Sequence, residues 1–153
     1  MLPFKKILWP TDFSEPSLLA LEAANELADL CHSEVFLFHA VPPIPVVSGP
    51  EFPASFDVSL YQAELEKAAK KSMAEARAKM ITKDVRVHEI ISQGEAASEI
   101  LRVAREKHID LIVIARCGES GWKNLIFGSV AEKVTRHAPV PVLVIHASPV
   151  EAK

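Results

Sequence analysis

The stretch Asp110–Val130, DLIVIARCGESGWKNLIFGSV, decides how the rest of the chain is read. Leu111–Ala115 is an unbroken apolar run, short enough to be a strand covered on both faces. A glycine-bearing loop follows, and Gly128-Ser129 then heads a short helical segment in which Val130 and Val134 recur one turn apart. Gly118 and Gly128 are separated by nine residues. Glycine lets backbone N–H groups approach a ligand with no Cβ in the way. The first N–H groups of a helix lack intrahelical partners, so a helix start is an anion site. The stretch therefore predicts a strand, a loop and a helix start forming a phosphate cradle, with the Ser129 hydroxyl as an added donor. A Gly-Ser at a helix start serves equally as a plain N-cap, and spacing alone leaves both readings open.

Toward the C-terminus, Val140–Ile145 (VPVLVI) is another apolar run. Pro139 and Pro141 lack donor N–H groups, which puts this strand at a sheet edge or makes them its entry. The tail after His146 reads as frayed. Toward the N-terminus, Ala97, Ile100, Leu101 and Ala104 recur at i, i+3, i+4 and i+7 and predict an amphipathic helix after a break at Gly94-Glu95. Before the break, Val85, Val87 and Ile91 alternate imperfectly with Arg86, His88 and Glu89, the pattern of an edge strand. Tyr61, Leu65, Ala69, Ser72, Ala76 and Met80 mark the longest helix, whose mixed charges suit a solvated outer face. Pro42–Phe56, with its prolines and Gly49, reads as a long irregular loop.

Val35–Val41 (VFLFHAV) is apolar on both alternating sets except at His39, so it is an interior strand. No second histidine or carboxylate stands beside His39, which reads as a hydrogen-bonded core histidine. Lys5–Trp9 is a short strand ended by Pro10. Ser14 then offers an N-cap, Glu15 puts negative charge in the first turn, and Pro16 is tolerated there. Ala20, Ala23, Ala24, Leu27, Ala28 and Cys31 lie on one helical face, and the helix ends near His32 and Ser33.

Strands and helices thus alternate from end to end. That pattern predicts an α/β fold, an open five-stranded parallel sheet with helices on both faces. Two doubly covered strands and two edge strands are satisfied by the order 3-2-1-4-5. In that order the winding reverses between the first and fourth strands, and ligands bind where the carboxyl ends of such strands diverge. Pro10-Thr11-Asp12 and Ala115–Gly118 meet there, and Val41 flanks them.

These residues resemble the universal stress protein family over nearly the whole chain. The resemblance lies in Pro-Thr-Asp-Phe-Ser after the first strand, His-Ala-Val closing the second, Gly-Glu before the third helix, and Gly-Ser-Val-Ala-Glu-Lys-Val followed by Pro-Val-Leu-Val. The nucleotide-binding branch carries Gly, two residues, Gly, nine residues, Gly-Ser/Thr. Gly118 and Gly128-Ser129 match its second and third parts, and Ala115 stands where the first glycine belongs. A methyl there costs least if φ stays negative, and roughly 1 kcal/mol if φ must be positive. The resemblance implies a single domain over 1–153 with an adenine nucleotide alpha hydrolase-like, Rossmann-like fold. It also implies an adenine nucleotide whose base is recognised by main-chain groups near Val41 and whose base or ribose side is approached by Asp12. Phosphates rest on Gly118, Gly128, Ser129 and Val130, with Pro10, Thr11 and Ala115 around them.

Composition bounds the alternatives. A chain of 153 residues, 49% apolar, buries a sizeable core, and its net charge of -3 gives no pull toward nucleic acid. No stretch approaches the length of a membrane span and no signal-peptide core opens the chain, so a cytoplasmic protein is expected. Cys31 and Cys117 have neither disulfide nor zinc spacing. A phosphoacceptor domain would place an acidic pair after the first strand, where only Asp12 stands, and a dehydrogenase would carry G-x-G-x-x-G there. The G-x-S-x-G elbow of hydrolases is missing. Arg116 and Lys123 read as exposed loop cations. The expected function is an ATP-binding stress-response protein (with AMP or ADP as the other ligands), Mg²⁺ entering through the phosphates. It is expected to act as a homodimer paired through Pro141–Ile145, hydrolysing ATP slowly or not at all. A nucleotide-free dimeric interaction module and a slow ATPase are the alternatives.

Overall fold

A computed structural model of the chain describes residues 2–44, 57–79, 84–117 and 127–146. The elements are β1 (Lys6–Pro10), α1 (Glu15–Cys31), β2 (Glu34–Val41), α2 (Val58–Lys79), β3 (Val87–Gln93), α3 (Ala96–Glu106), β4 (Leu111–Ala115), α4 (Ser129–His137) and β5 (Val142–Ile145). They build one parallel five-stranded sheet in the order β3-β2-β1-β4-β5. The order deduced from covered and edge patterns is the order found. Most of the expected proline loop, Met80 and the tail from residue 147 lie outside the described residues.

Alternation along each strand splits the core in two. Ile7, Trp9, Val35, Leu37, Leu111 and Val113 face one side, where α1 lays down Ala20, Leu21, Ala24 and Ala28 and α2 adds Met73 and Ala76. Leu8, Phe36, Phe38, Ile112 and Ile114 face the other, against Ala97, Ile100, Val103 and Ala104 of α3 and Ala131 and Val134 of α4. In-register pairing puts Leu8 between Phe36 and Ile112, so each layer is continuous across the sheet. Every residue of β4 is buried, and each large aliphatic side chain so placed contributes about 1.5 to 3 kcal/mol. The alanine stripe of α1 brings that helix close over the sheet. At the far end of the strands, the Asp110 carboxylate accepts from the Lys5 and Lys6 amides at 2.8 and 2.9 Å.

Local chemistry fixes the ends of the helices. Ser14 caps α1, its Oγ accepting from the Ser17 amide, and His32 closes the helix in the left-handed region at φ 53°. Among the differences from the sequence reading are two strand ends and the buried face of α2. Pro10 is the last residue of β1, in register with Phe38, and the next residue's amide, Thr11 N–H, donates to Phe38 O. The final strand begins at Val142 because Pro141 cannot donate to the ladder. In α2 the buried side chains are Ala69, Met73 and Ala76, while Tyr61 is 44% exposed; the helix touches the sheet mainly through its second half. Among the described residues no helix is long and apolar enough to cross a membrane.

Ile112→Ala, at the fully buried centre of β4, is expected to lower stability by about 2 to 5 kcal/mol in urea denaturation. Leu30→Ala, on a side chain 78% exposed, should change it by less than about 0.5 kcal/mol. Equal costs at the two positions would contradict a doubly covered β4.

Candidate functional site

β1 and β4 are neighbours, and the connections leaving their carboxyl ends go to opposite faces of the sheet: α1 on one, α4 on the other. Between them opens a cavity of about 540 Å³, within the range of about 300 to 1,000 Å³ usual for small-molecule sites. Pro10, Thr11 and Asp12 line it from the end of β1 and the turn after it, Ser17 from α1, Phe38, His39 and Ala40 from β2, Ala96 and Ile100 from α3, Ile114, Ala115 and Cys117 from the end of β4 and just beyond, and Gly128 through Ala131 from the cap and first turn of α4.

The wall after β1 is shaped by a closed set of hydrogen bonds. Thr11 extends the ladder, its amide donating to Phe38 O at 2.8 Å. Its Oγ1 accepts from the Phe13 amide and meets Ser17 Oγ, each at 2.8 Å. Because the Ser17 hydroxyl donates to Ser14 O, the Thr11 hydroxyl is the donor in that pair. Trp9 Nε1 donates to Ser17 O, so the largest core side chain is tied to the same turn. Phe13 sits at φ 63°, a conformation costing a non-glycine residue of order 1 to 3 kcal/mol. The Thr11 bond and contact with the His39 ring, 4.5 Å between centroids, hold it there. Asp12 Oδ1 accepts from the amide and hydroxyl of Ser14, so this carboxylate serves the helix entry while lining the cavity.

The opposite wall is the start of α4. Gly128 is its N-cap residue and provides no side-chain cap. The Gly128 amide donates to Arg116 O at 2.8 Å. Ser129, Val130 and Ala131, whose N–H groups have no intrahelical acceptor, all line the cavity. The backbone of Gly128, φ −70°, is ordinary; a side chain there would add bulk to the wall rather than distort the turn. α3 also begins beside the cavity, but its N-terminus is occupied by the chain's own anion. Glu95 accepts from the Ala97 and Ser98 amides, from the Ser98 hydroxyl and from Lys133 Nζ. Those bonds, the Ser98 hydroxyl first, hold its carboxyl down to about 2. An incoming anion is thereby left with α4.

Of the residues singled out in the sequence, Pro10, Thr11, Asp12, Ala115, Gly128, Ser129 and Val130 come together on one cavity. Ala115 is an extended strand residue paired with Ile145. The described non-glycine residues of positive φ are Phe13, His32 and His108, so the methyl of Ala115 carries no backbone strain. Val41 does not line the cavity: its side chain is buried and its carbonyl accepts from the Gly94 amide. Gly118, Lys123 and Trp122 lie outside the described residues. Arg116 is half-buried, does not line the cavity, and has no partner for its buried Nε among the described residues. His39 is hydrogen-bonded as expected, through Nδ1 to Thr11 O at 2.8 Å, but it is a half-buried wall of the cavity rather than a core residue. Ser17, Phe38, Ala40, Ala96, Ile100, Ile114 and Ala131 also line the cavity without being singled out as site residues in the sequence, whereas Cys117 falls within the Ala115–Gly118 segment placed there. Helical spacing marks Ile100 and Ala131 only as core, and which end of a core stripe borders a cavity is set by tertiary geometry. Among the described residues no group of three His, Cys, Asp or Glu is placed to hold a metal ion.

A family model described as the universal stress protein family matches residues 3–146. The universal stress protein YxiE of Bacillus subtilis is 34% identical over 93% of this chain and 99% of its own. The solved structure of MJ0577, a universal stress protein of Methanocaldococcus jannaschii, superposes with a TM-score of 0.82 at 30% identity, over 94% of this chain and 96% of that one. A universal stress protein from Archaeoglobus fulgidus, solved in complex with dAMP, shares the fold at 23% identity with a TM-score of 0.66, over 95% of this chain and 99% of that one.

Glu95 titrates below the ordinary 4.5 in the folded chain, so its stabilisation is present above that value and disappears as pH falls toward about 2. With a side chain 52% exposed, solvent screening keeps the effect near 1 kcal/mol, the scale of a helix cap. Glu95→Gln should therefore be less stable by that amount at pH 7. The gap should close in acid when both proteins are unfolded in urea across a pH series, and a gap as wide at pH 2 as at pH 7 would refute the assignment.

Proposed function

The chain belongs to the universal stress protein family, and from that premise we propose that it binds an adenine nucleotide in the cavity beside β1 and β4. The ligand in this reading is ATP, with Mg²⁺ held through its phosphates, and the protein acts as a nucleotide-dependent homodimeric switch in stress response. One observation carries the reading: an uncapped helix start opens into a largely apolar cavity, while the neighbouring helix start is already filled by Glu95. Polyphosphate takes the α4 amides with Gly128 and Ser129, and Gly118 completes the motif. Ile100, Ile114 and Ala96 supply apolar surface for the purine. Asp12 accepts from the ribose or base side, and main-chain groups between Ala40 and Val41 read the base edge. The dAMP in the A. fulgidus neighbour supports an adenine nucleotide, and the extended backbone of Ala115 removes the objection that its methyl raises.

β5 is an edge strand with Leu143 38% exposed. Antiparallel pairing of Pro141–Ile145 with a second copy covers it, which supports the homodimer. Nucleotide occupancy then alters what the dimer presents to a protein partner. Among the described lining residues His39 is hydrogen-bonded to the Thr11 carbonyl rather than to a hydroxyl or thiol, and Asp12 is the one carboxylate, an arrangement in keeping with slow hydrolysis or none; phosphate release from purified protein distinguishes a slow ATPase.

Titration calorimetry with ATP and magnesium should give saturable heat, and denaturing the purified protein should release an adenine nucleotide identifiable by mass. Gly128→Val should weaken binding about tenfold or more, at least about 1.4 kcal/mol, with the dimer unchanged in light scattering. Absence of heat with the unmodified protein would instead leave a nucleotide-free dimeric module. Leu143→Lys should halve the mass seen by light scattering, and a monomeric unmodified protein would remove the dimer from the proposal.

A further inference from the structure

Besides the Asp12 carboxylate, whose Oδ1 accepts from Ser14, the polar groups that form the two walls of the cavity are donors or are engaged with one another. The α4 amides donate, and the Thr11 and Ser17 hydroxyls are turned to each other and to Ser14 O. His39 differs. Its Nδ1 lies 2.8 Å from the Thr11 carbonyl, and a carbonyl only accepts, so Nδ1 carries the hydrogen. In the neutral ring Nε2 is then a lone-pair acceptor. The ring lines the cavity, and Nε2 has no partner among the described residues. Two contacts fix its orientation: the Thr11 bond at one edge and the Phe13 ring 4.5 Å away, tilted by 34°. Fixed orientation turns an acceptor into a discriminating one, because a ligand lacking the matching donor leaves the site with a hydrogen bond unmade.

We infer that His39 is a specificity-determining residue of this cavity, its Nε2 accepting a hydrogen bond from a donor on the bound nucleotide, either the purine amino group or a ribose hydroxyl. The inference rests on nucleotide binding in this cavity and adds to it the group that reads the ligand. Thr11 is the residue through which the reading is kept in register: its hydroxyl pins Phe13, and its carbonyl pins the tautomer of His39.

The test is a set of binding ratios, each taken on one protein so that a general loosening cancels. ATP is compared by calorimetry with purine riboside triphosphate, which lacks the amino group, and with 2′-deoxy and 3′-deoxy ATP. The unmodified protein should prefer ATP over at least one analogue by about fivefold, the scale of one neutral hydrogen bond. The analogue that loses affinity names the donor. His39→Asn keeps an N–H donor near the Nδ1 position but removes the acceptor, and should bring that ratio to within about twofold of one. His39→Gln, whose amide oxygen reaches the Nε2 position, should restore most of it. Equal affinity of the unmodified protein for all the analogues overturns the inference while leaving nucleotide binding intact, and so does a preference that survives in His39→Asn. Failure of the unmodified protein to bind ATP at all overturns both.

Discussion

The central position of β1 is the constraint on which the rest depends. Leu8 is paired to Phe36 on one side and to Ile112 on the other, so the sheet grows outward from β1 in both directions. The chain first winds toward β3, then returns across β1 to lay down β4 and β5. Helices that follow β1 and β4 must therefore leave toward opposite faces, and the carboxyl ends of these two strands part. Nothing needs to be carved out of the protein to make a cavity there. It is the space that two diverging connections cannot fill, and α/β sheets of this winding place their ligands in it.

Helix termini decide what such a space attracts. Three starts border it, and the sequence treats each differently. Ser14 caps α1, Glu95 caps α3 with a carboxylate that also takes Lys133, and Gly128 leaves α4 open. Dipole and unmatched N–H groups together amount to about half a positive charge at an open start. In an apolar enclosure that charge is felt more strongly than in water. A single uncapped helix among capped ones is thus a directional device. In the proposed reading it takes the charged end of an anionic ligand.

Periodicity carried the fold because burial in this protein is two-sided and regular. The unbroken Leu111–Ala115 run reads as a doubly covered strand, and the imperfect alternation around Val87 as an edge; both are where the sheet has them. Strand order places Thr11 and Asp12 beside Ala115, and motif spacing links Ala115 to Gly128; all four line one cavity. Side-chain patterns were silent where geometry rather than polarity decides. Ser72 and Met73 are both compatible with a helical stripe, and which one is buried depends on how α2 crosses the sheet. His39 looked like a core residue because its strand is apolar on both faces. It stands near the carboxyl end, however, where the helices no longer cover the strand. Glu95 reads in the sequence only as part of the Gly94-Glu95 break after the third strand, and in the structure it is the cap of α3.

The two walls of the cavity are built on different principles, and this governs how sequence can vary in each. After β1 the wall is made of side chains in fixed roles. Thr11 Oγ1 is an acceptor for Phe13 and a donor to Ser17, and Trp9 reaches from the core to the Ser17 carbonyl. Removing one member of such a buried set leaves its partner unsatisfied at about 1 to 3 kcal/mol, and frees a residue held at positive φ. Core stability and site shape are therefore one property on this side. Along α4 the wall is main chain: the amides of Ser129, Val130 and Ala131 are supplied by any sequence that keeps the helix. Only Gly128, where bulk narrows the cavity, and Ala131 and Val134, which seat the helix on the sheet, are constrained there. In the proposed reading, anion contacts so built tolerate surface change on α4, whereas the side-chain contacts proposed for Asp12 and His39 depend on the turn after β1.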